Sequence, residues 1–278
     1  MVDYLQKAKF FRTKKRLGQN FLINANIISD IIKYADIHPD DTIVEIGPGV
    51  GFVTEQLIKY AKKVIAIELD KDAINELYKL NANNLQIIHG DILKTDISSL
   101  CDEDVKIVAN IPYYITSPII AHLLGEIDDL NNKNRNKVKD IILMVQEEVA
   151  RRIVANENSP SKQYGLLSIL SQFWADCTIL KLVGRRSFYP APKVNSALVN
   201  LKVRKEPKLK LNNYSNFRKT VKSAFSQRRK TLKNCLLNSG YSKDNVLKAL
   251  AAINLDENVR GEKLSIEMFG ELSEILYK

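Results

Sequence analysis

The sequence predicts an α/β protein: a mostly parallel sheet with an antiparallel hairpin at one edge, followed by a small all-helical C-terminal domain. Three observations predict it. Up to about residue 145, short apolar runs alternate with helical stretches. Strand-like runs then cease beyond "ALVNLKV", and only helical patterns follow. The charge also divides: residues 1–184 hold 22 basic and 24 acidic side chains, whereas 185–278 hold 20 and 8, so the net charge of +10 belongs to the second part. A polyanion is the partner that such a concentrated excess suits.

The alternating runs are "TIVEIG", "FVTEQLIKYA", "KVIAIEL", "DAINELYKL", "LQIIHGD", "KIVAN", "SPIIAHLL" and "DIILMV". Strand then helix, repeated, requires crossovers and therefore a parallel sheet. "CTILKLV" and "ALVNLKV" flank the "RRSFYPAPKV" loop, and so short a connection favours a hairpin. "VRKEPKLKLNN" reads as a charged linker, which sets domains at 1–204 and 205–278. "YSNFRKTVKSAFSQRRKTLKNCLL" is expected as one helix ending at Gly240, "SKDNVLKALAAI" as a second behind Ser242, and "SIEMFGELSEILYK" as a last.

With 45% hydrophobic and 27% charged residues the composition is that of a soluble globular protein. No apolar stretch approaches the roughly 18 residues of a membrane span, and the basic start lacks a signal peptide's apolar core, so a cytoplasmic protein is expected, an organellar address being the alternative. Cys101, Cys177 and Cys235 are scattered and odd in number, as are His38, His89 and His122, which suggests neither disulfides nor a metal centre.

"VEIGPGVGFVTEQL" places Gly47, Gly49 and Gly51 in the turn between the first strand and its helix, where a ligand can approach the backbone and meet unpaired N–H groups. A dinucleotide fingerprint would require glycine at 52, which is Phe52. The next two strands end on Glu68 and Asp91, so successive strand ends offer a glycine turn, an acid and an acid along one edge. An acidic rim suits a cationic adenosine better than a pyrophosphate. This set is similar to that of the Rossmann-like S-adenosylmethionine-dependent methyltransferases, and the resemblance implies their fold and cofactor, with Gly47 against the methionine portion, Glu68 on the ribose hydroxyls and Asp91 on the adenine amino group.

"ANIPYYITSP" follows a strand of β-branched residues and joins an amide, a rigid bend and two aromatic rings. An exocyclic adenine amine is a poor nucleophile because its lone pair is delocalised into the ring. Two acceptors aimed at its N–H groups would favour a pyramidal nitrogen: the side-chain oxygen of Asn110 and the main-chain carbonyl of Ile111. Pro112 would fix the turn and Tyr113 would stack on a flipped base.

"RLGQNFL", "VEIGPGVG", "ANIPYYITSPI", "MVQEEVARRI", "YGLLSIL", "FYPAPKVNSALV" and "FSQRRKTLKN" stand in the order found in the small-subunit ribosomal RNA adenine dimethyltransferases, the KsgA family, which the chain resembles from about residue 12 onward. The resemblance implies S-adenosylmethionine-dependent dimethylation of N6 on two adjacent adenosines in the 3′-terminal hairpin loop of 16S rRNA, within an immature small subunit and by a monomer without membrane contact. It adds Asn20 and Leu22 to Gly47, Glu68, Asp91 and Asn110 as cofactor contacts, and places Phe188 opposite Tyr113 on the target base. Residues 1–204 become the catalytic domain and 205–278 the RNA-binding domain. Arg228, Arg229, Lys230 and Lys233 are expected on one helix, with Arg229 and Lys233 sharing a face that meets phosphates. Family members usually carry N-L-P-Y, and Ile111 in place of leucine should change little because its carbonyl acts. Large-subunit rRNA methyltransferases share Q-N-F and N-I-P-Y but typically lack "MVQEEVARRI", "YGLLSIL" and "FSQRRKTLKN". A nucleic-acid-binding module with a dead cofactor fold would be expected to have lost Asn110, Tyr113 or the acids.

Overall fold

Alternation of strand and helix along the first half of the chain builds a sheet whose carboxyl edge carries the loops of interest. In the computed structural model, which describes residues 3–14 and 17–277, the strands are β1 (Phe21–Leu22), β2 (Thr42–Ile46), β3 (Lys63–Glu68), β4 (Leu85–His89), β5 (Val105–Asn110), β6 (Val138–Gln146), β7 (Ala175–Val183), β8 (Phe188–Tyr189) and β9 (Ser196–Val203). The helices are α1 (Tyr4–Phe10), α2 (Ala25–Tyr34), α3 (Thr54–Tyr60), α4 (Lys71–Tyr78), α5 (Thr116–Leu124), α6 (Lys133–Lys137), α7 (Glu147–Val154), α8 (Leu166–Trp174), α9 (Tyr214–Ala224), α10 (Leu232–Asn238), α11 (Lys243–Ala252) and α12 (Ile266–Leu276).

The main sheet runs β4-β3-β2-β5-β6-β9-β7. β4, β3, β2, β5 and β6 are parallel, and β9 lies antiparallel to β6 from Asp140↔Lys202 to Gln146↔Ser196, with β7 beside it at the edge. The strand order reverses between β2 and β5, which opens a crevice beyond their carboxyl ends, where open α/β sheets bind ligands. β2 is an inner strand between β3 and β5, and all five of its residues are buried, whereas β4 at the edge is half-buried or exposed. α2 buries Ile27, Ile28 and Ile31 on one face, and Asn24 caps it by accepting hydrogen bonds from the N–H groups of Asn26 and Ile27.

One ribbon is absent from the sequence reading. β1 pairs antiparallel with β8, Phe21 opposite Tyr189 and Leu22 opposite Phe188. Two-residue strands have no period to read.

The chain forms two compact units. The first comprises Met1–Gly125, Asn131–Ala150 and Asp176–Val203; the second comprises Glu126–Leu130, Arg151–Ala175 and Arg204–Lys278. Residues 151–175, which the sequence assigns to the first domain, thus group with the C-terminal helices. The cause is aromatic: Phe173 of α8 stacks on Phe217 of α9 at 5.4 Å and meets Tyr214 edge-on at 6.2 Å.

The expected long helix from Tyr214 is two helices. α9 ends at Ala224 and α10 begins at Leu232, with a turn over 225–231. The Ser226 hydroxyl donates to the Ser223 carbonyl at 2.7 Å, and the Thr231 hydroxyl accepts from Asn234 N–H, capping α10. Such hydroxyls offer the backbone an alternative to continued helix. Gly240, φ +90°, follows the end of α10, Ser242 caps α11 as its position in the sequence suggests, and Ser265, read from the sequence as part of the last helix, is instead the cap of α12.

Candidate active site

A cavity of about 110 Å³ sits at the carboxyl ends of β2, β3 and β5 and the loop after β4, closed on one side by residues 17–22. It gathers Asn20, Leu22, Gly47, Glu68, Asp91, Asn110, Ile111, Pro112 and Tyr113 from segments far apart in sequence. Its lining also holds Glu45, giving three carboxylic acids and, among the described residues, no Lys, Arg or His. Phe188 is not in the lining: it is 2% exposed and packs in the core beside Leu22 through the β1–β8 ribbon. Arg16, which opens "RLGQNFL", lies outside the described residues.

The glycine turn is held by the acid that follows it. Glu68 Oε2 accepts from Gly49 N–H at 2.9 Å, while Oε1 accepts from the N–H groups of Leu69 and Asp70, both at 2.8 Å. Burial pushes the Glu68 carboxyl up, and these three amides pull it back only in part. At Gly49 the backbone is left-handed (φ +57°), and a Cβ would come within 2.8 Å of the Phe21 ring, so nothing larger than glycine fits. Phe52, where a dinucleotide turn would need glycine, is 5% exposed and packs 4.8 Å from Tyr4 and 6.5 Å from Phe21. Asp91 uses Oδ1 to accept from Leu93 N–H at 3.0 Å and stays half-buried at the cavity.

Asn110 ends β5 with its side chain oriented. Its Nδ2 donates to the Asn20 carbonyl at 3.3 Å, and Asn20 Nδ2 in turn donates to the Gly18 carbonyl at 3.0 Å. With the amide nitrogen so engaged, the side-chain oxygen is the acceptor left for an amine. Pro112, φ −58°, opens the short turn that carries Tyr113, whose hydroxyl lies 2.7 Å from the Ser196 hydroxyl. Tyr114 also lines the cavity and is 64% exposed.

The segment over the cavity is tied down by Asp70, a residue that no sequence motif singles out. Gln19 Nε2 donates to Asp70 Oδ2 at 2.7 Å, Lys14 N–H donates to Gln19 Oε1 at 2.7 Å, and the Lys14 ammonium pairs with Asp70 and, at 2.6 Å, Asp72. Burial alone would raise the Asp70 carboxyl, but Lys14 and Gln19 outweigh it and hold it below the usual range.

Glu45 is the second residue that sequence reasoning passes over. It is 3% exposed in the middle of a fully buried strand, and an acid inside such an apolar run is the available signal. The polar neighbour of its carboxyl is the Thr54 hydroxyl, which offsets the effect of burial only in part. Burial, reinforced by the Glu68 charge, pushes its carboxyl up to about 8. Between an ordinary value near 4.5 and about 8, the folded chain keeps a proton that the unfolded chain has lost. Stability from this group is therefore greatest below the lower value, falls as pH rises through the window, and levels off above it. Glu45→Gln should remove that slope and raise stability at pH 8 by a few kcal/mol, at about 1.4 kcal/mol for each pH unit between the two values. Urea melts of both proteins at several pH values measure it, and parallel curves would contradict a protonated Glu45.

The basic residues sit in the second unit. Arg228, Arg229 and Lys230 are exposed on the 225–231 turn rather than on a helix, so the shared helical face expected for Arg229 and Lys233 does not form. Lys233 lies on α10 with its ammonium 2.6 Å from Glu257 Oε2. Within the same unit a cavity of about 120 Å³ is lined by Arg152, Lys162, Arg228, Lys230 and Arg260, with Glu262 the one acid.

Comparison with known proteins gives these features a family. The family model for ribosomal RNA adenine dimethylases matches residues 10–278. The chain belongs to that family. Relatives of this dimethylase-family chain include the Clostridioides difficile protein named ribosomal RNA small subunit methyltransferase A, 43% identical over 274 residues that cover 96% of this chain and 91% of that one. The Clostridium botulinum protein of the same name is 42% identical, covering 96% and 95%. Among solved structures, a dimethyladenosine transferase from Plasmodium falciparum superposes with a TM-score of 0.72 at 31% identity, covering 90% of this chain and 94% of that one. The 23S rRNA methyltransferase ErmE superposes with a TM-score of 0.69 at 26% identity, covering 93% and 100%. The chain is a methyltransferase by family and has the Rossmann-like fold of these neighbours. No helix among the described residues is long and apolar enough to cross a membrane.

The cavity fits the methyl donor that the family implies. Glu68 and Asp91 on its rim, with no cation among the described lining residues, suit a positively charged ligand, and the turn at Gly49 leaves the backbone accessible where a side chain would intrude.

Proposed function

We propose that this chain transfers methyl groups from S-adenosylmethionine to N6 of two adjacent adenosines in the 3′-terminal hairpin loop of 16S rRNA, two per base. It acts as a cytoplasmic monomer on the immature small subunit, with residues 1–204 supplying most of the chemistry and 205–278 most of the RNA contacts. The observation that carries the reading is the oriented Asn110 amide beside a cavity that is acidic and, among the described residues, free of cations. The names of the relatives favour the small subunit over the large one.

The donor supplies a methyl group already activated on a sulfonium, so the protein's task is placement. Glu68 and Asp91 would hold the ribose and adenine, Gly47 the methionine portion, and Asn20 and Leu22 the near wall. The Asn110 oxygen and Ile111 carbonyl accept the two N–H groups of the target amine and turn its lone pair toward the methyl group. Tyr113 takes one face of the base. Phe188 would take the other only after leaving the core position it has here. The methylated ammonium is acidic and releases its proton to solvent, so no strong general base is required.

Docking is assigned to the cations of the second unit. Since Lys233 is paired, the variant to make is Arg228→Ala with Arg229→Ala and Lys230→Ala. Every cation that no longer reaches a phosphate should flatten the slope of log affinity against log salt by about 0.7 to 0.9. Gel shifts at several salt concentrations should show weaker, flatter binding with donor affinity unchanged; an unchanged slope would return these side chains to a solvated surface. The assignment as a whole is tested by incubating undermethylated small and large subunits with the protein and labelled donor. Label should enter small-subunit RNA, and label confined to large-subunit RNA would contradict the proposal.

A further inference from the structure

Tyr113 is pinned from outside its own loop. Its ring lines the cavity while its hydroxyl lies 2.7 Å from Ser196 Oγ, 83 residues away. Within the short turn Tyr113–Ile115 the local hydrogen bonds engage the main chain, Thr116 Oγ1 donating to the Tyr113 carbonyl at 3.2 Å and Ile115 N–H to the Pro112 carbonyl at 3.2 Å. Ser196 is fully buried, at the first position of β9, opposite Gln146 at the last position of β6. Because β9 runs antiparallel to β6, its beginning falls at the carboxyl edge, where the cavity is. A hydroxyl on an inner strand is thereby brought to the far end of a phenol on a loop.

We infer that Ser196 is a positioning residue, which sets the plane and depth of the Tyr113 ring and so the seating of the flipped adenine against Asn110. The inference rests on the reading of Tyr113 as the stacking face. A ring held only at Cβ can turn about two bonds; a ring held also at its hydroxyl presents one face. Stacking needs only a face, whereas methyl transfer needs the amine within reach of its acceptors, so losing the pin should slow the chemical step more than it weakens RNA binding. Burial raises the Tyr113 phenol, and the Ser196 bond offsets this only in part, which keeps the hydroxyl protonated and able to serve as either donor or acceptor.

The test uses the full-length protein and undermethylated small subunits in single-turnover assays. Ser196→Ala and Tyr113→Phe each remove the same bond and should each lower the methyl-transfer rate by about three- to tenfold. The KM for RNA should stay within about twofold. The double variant should be no slower than the slower single, since coupled partners are not additive. Ser196→Thr, which keeps the hydroxyl, should recover most of the rate, and donor affinity should not change in any of them. A wild-type rate in Ser196→Ala, or full additivity in the double variant, overturns the inference. Tyr113→Ala separates the two levels: a wild-type rate there removes Tyr113 from the site altogether, whereas a disabled Tyr113→Ala beside an unaffected Ser196→Ala removes only the role of Ser196.

Discussion

Asn110→Ala should lower the rate of methyl transfer by about two to three orders of magnitude, the usual effect of deleting one oriented group on the reacting atoms. The side chain has two jobs that can be separated. Its nitrogen holds the Asn20 carbonyl at 3.3 Å, and its oxygen is, on the proposed reading, the acceptor for the target amine. Alanine loses both. Asn110→Asp keeps an acceptor but can no longer donate to Asn20, so it should retain more activity than alanine. Single-turnover rates at saturating donor and RNA make the comparison, and a rate near wild type for Asn110→Ala would take the amide out of the chemistry.

Glu68→Ala should weaken S-adenosylmethionine binding by about one to two orders of magnitude, since loss of a charged hydrogen-bond partner costs about 1.5 to 3 kcal/mol. The reason is broader than contact with a ribose. The carboxylate receives Gly49, Leu69 and Asp70 N–H, so its removal loosens the glycine turn and the start of α4 as well as the ligand's rim. Glu68→Gln is the informative control: it can accept with one oxygen but places an NH₂ against at least one of these donors, and should fall between the two. Calorimetry with an unaltered donor affinity for Glu68→Ala would remove this residue from the donor site.

The main features of the sheet and its site are legible in the sequence because they follow from short-range spacing. Glycine turn, Glu68, Asp91 and Asn110 are each tied to the end of a strand, and parallel strands put their ends on one edge. What escapes depends on partners distant in sequence. The Gln19–Asp70 bond spans 51 residues and the Tyr113–Ser196 bond 83, and no local pattern announces either. Phe188 resembles the second stacking ring by motif, yet the β1–β8 ribbon buries it against Leu22. The break at 225–231 is hidden for another reason: "SQRRKTL" keeps helical composition, while the Ser226 and Thr231 hydroxyls compete for the backbone there and Leu232 N–H turns to the distant Val259 carbonyl at 2.7 Å. The assignment of α8 to the C-terminal unit turns on Phe173 meeting Phe217, and an apolar helical face does not say which neighbour will cover it.

One acidic cavity and one oriented amide, on this reading, dimethylate neighbouring adenosines of the small-subunit RNA. Mass spectrometry of 16S and 23S rRNA, after incubation of undermethylated particles with the protein and S-adenosylmethionine, tests it most directly. The expected result is two methyl groups on N6 of each of two adjacent adenosines in the 3′-terminal hairpin of 16S rRNA, and none added to 23S rRNA. Dimethyladenosine in 23S rRNA with an unmodified 16S hairpin would contradict it.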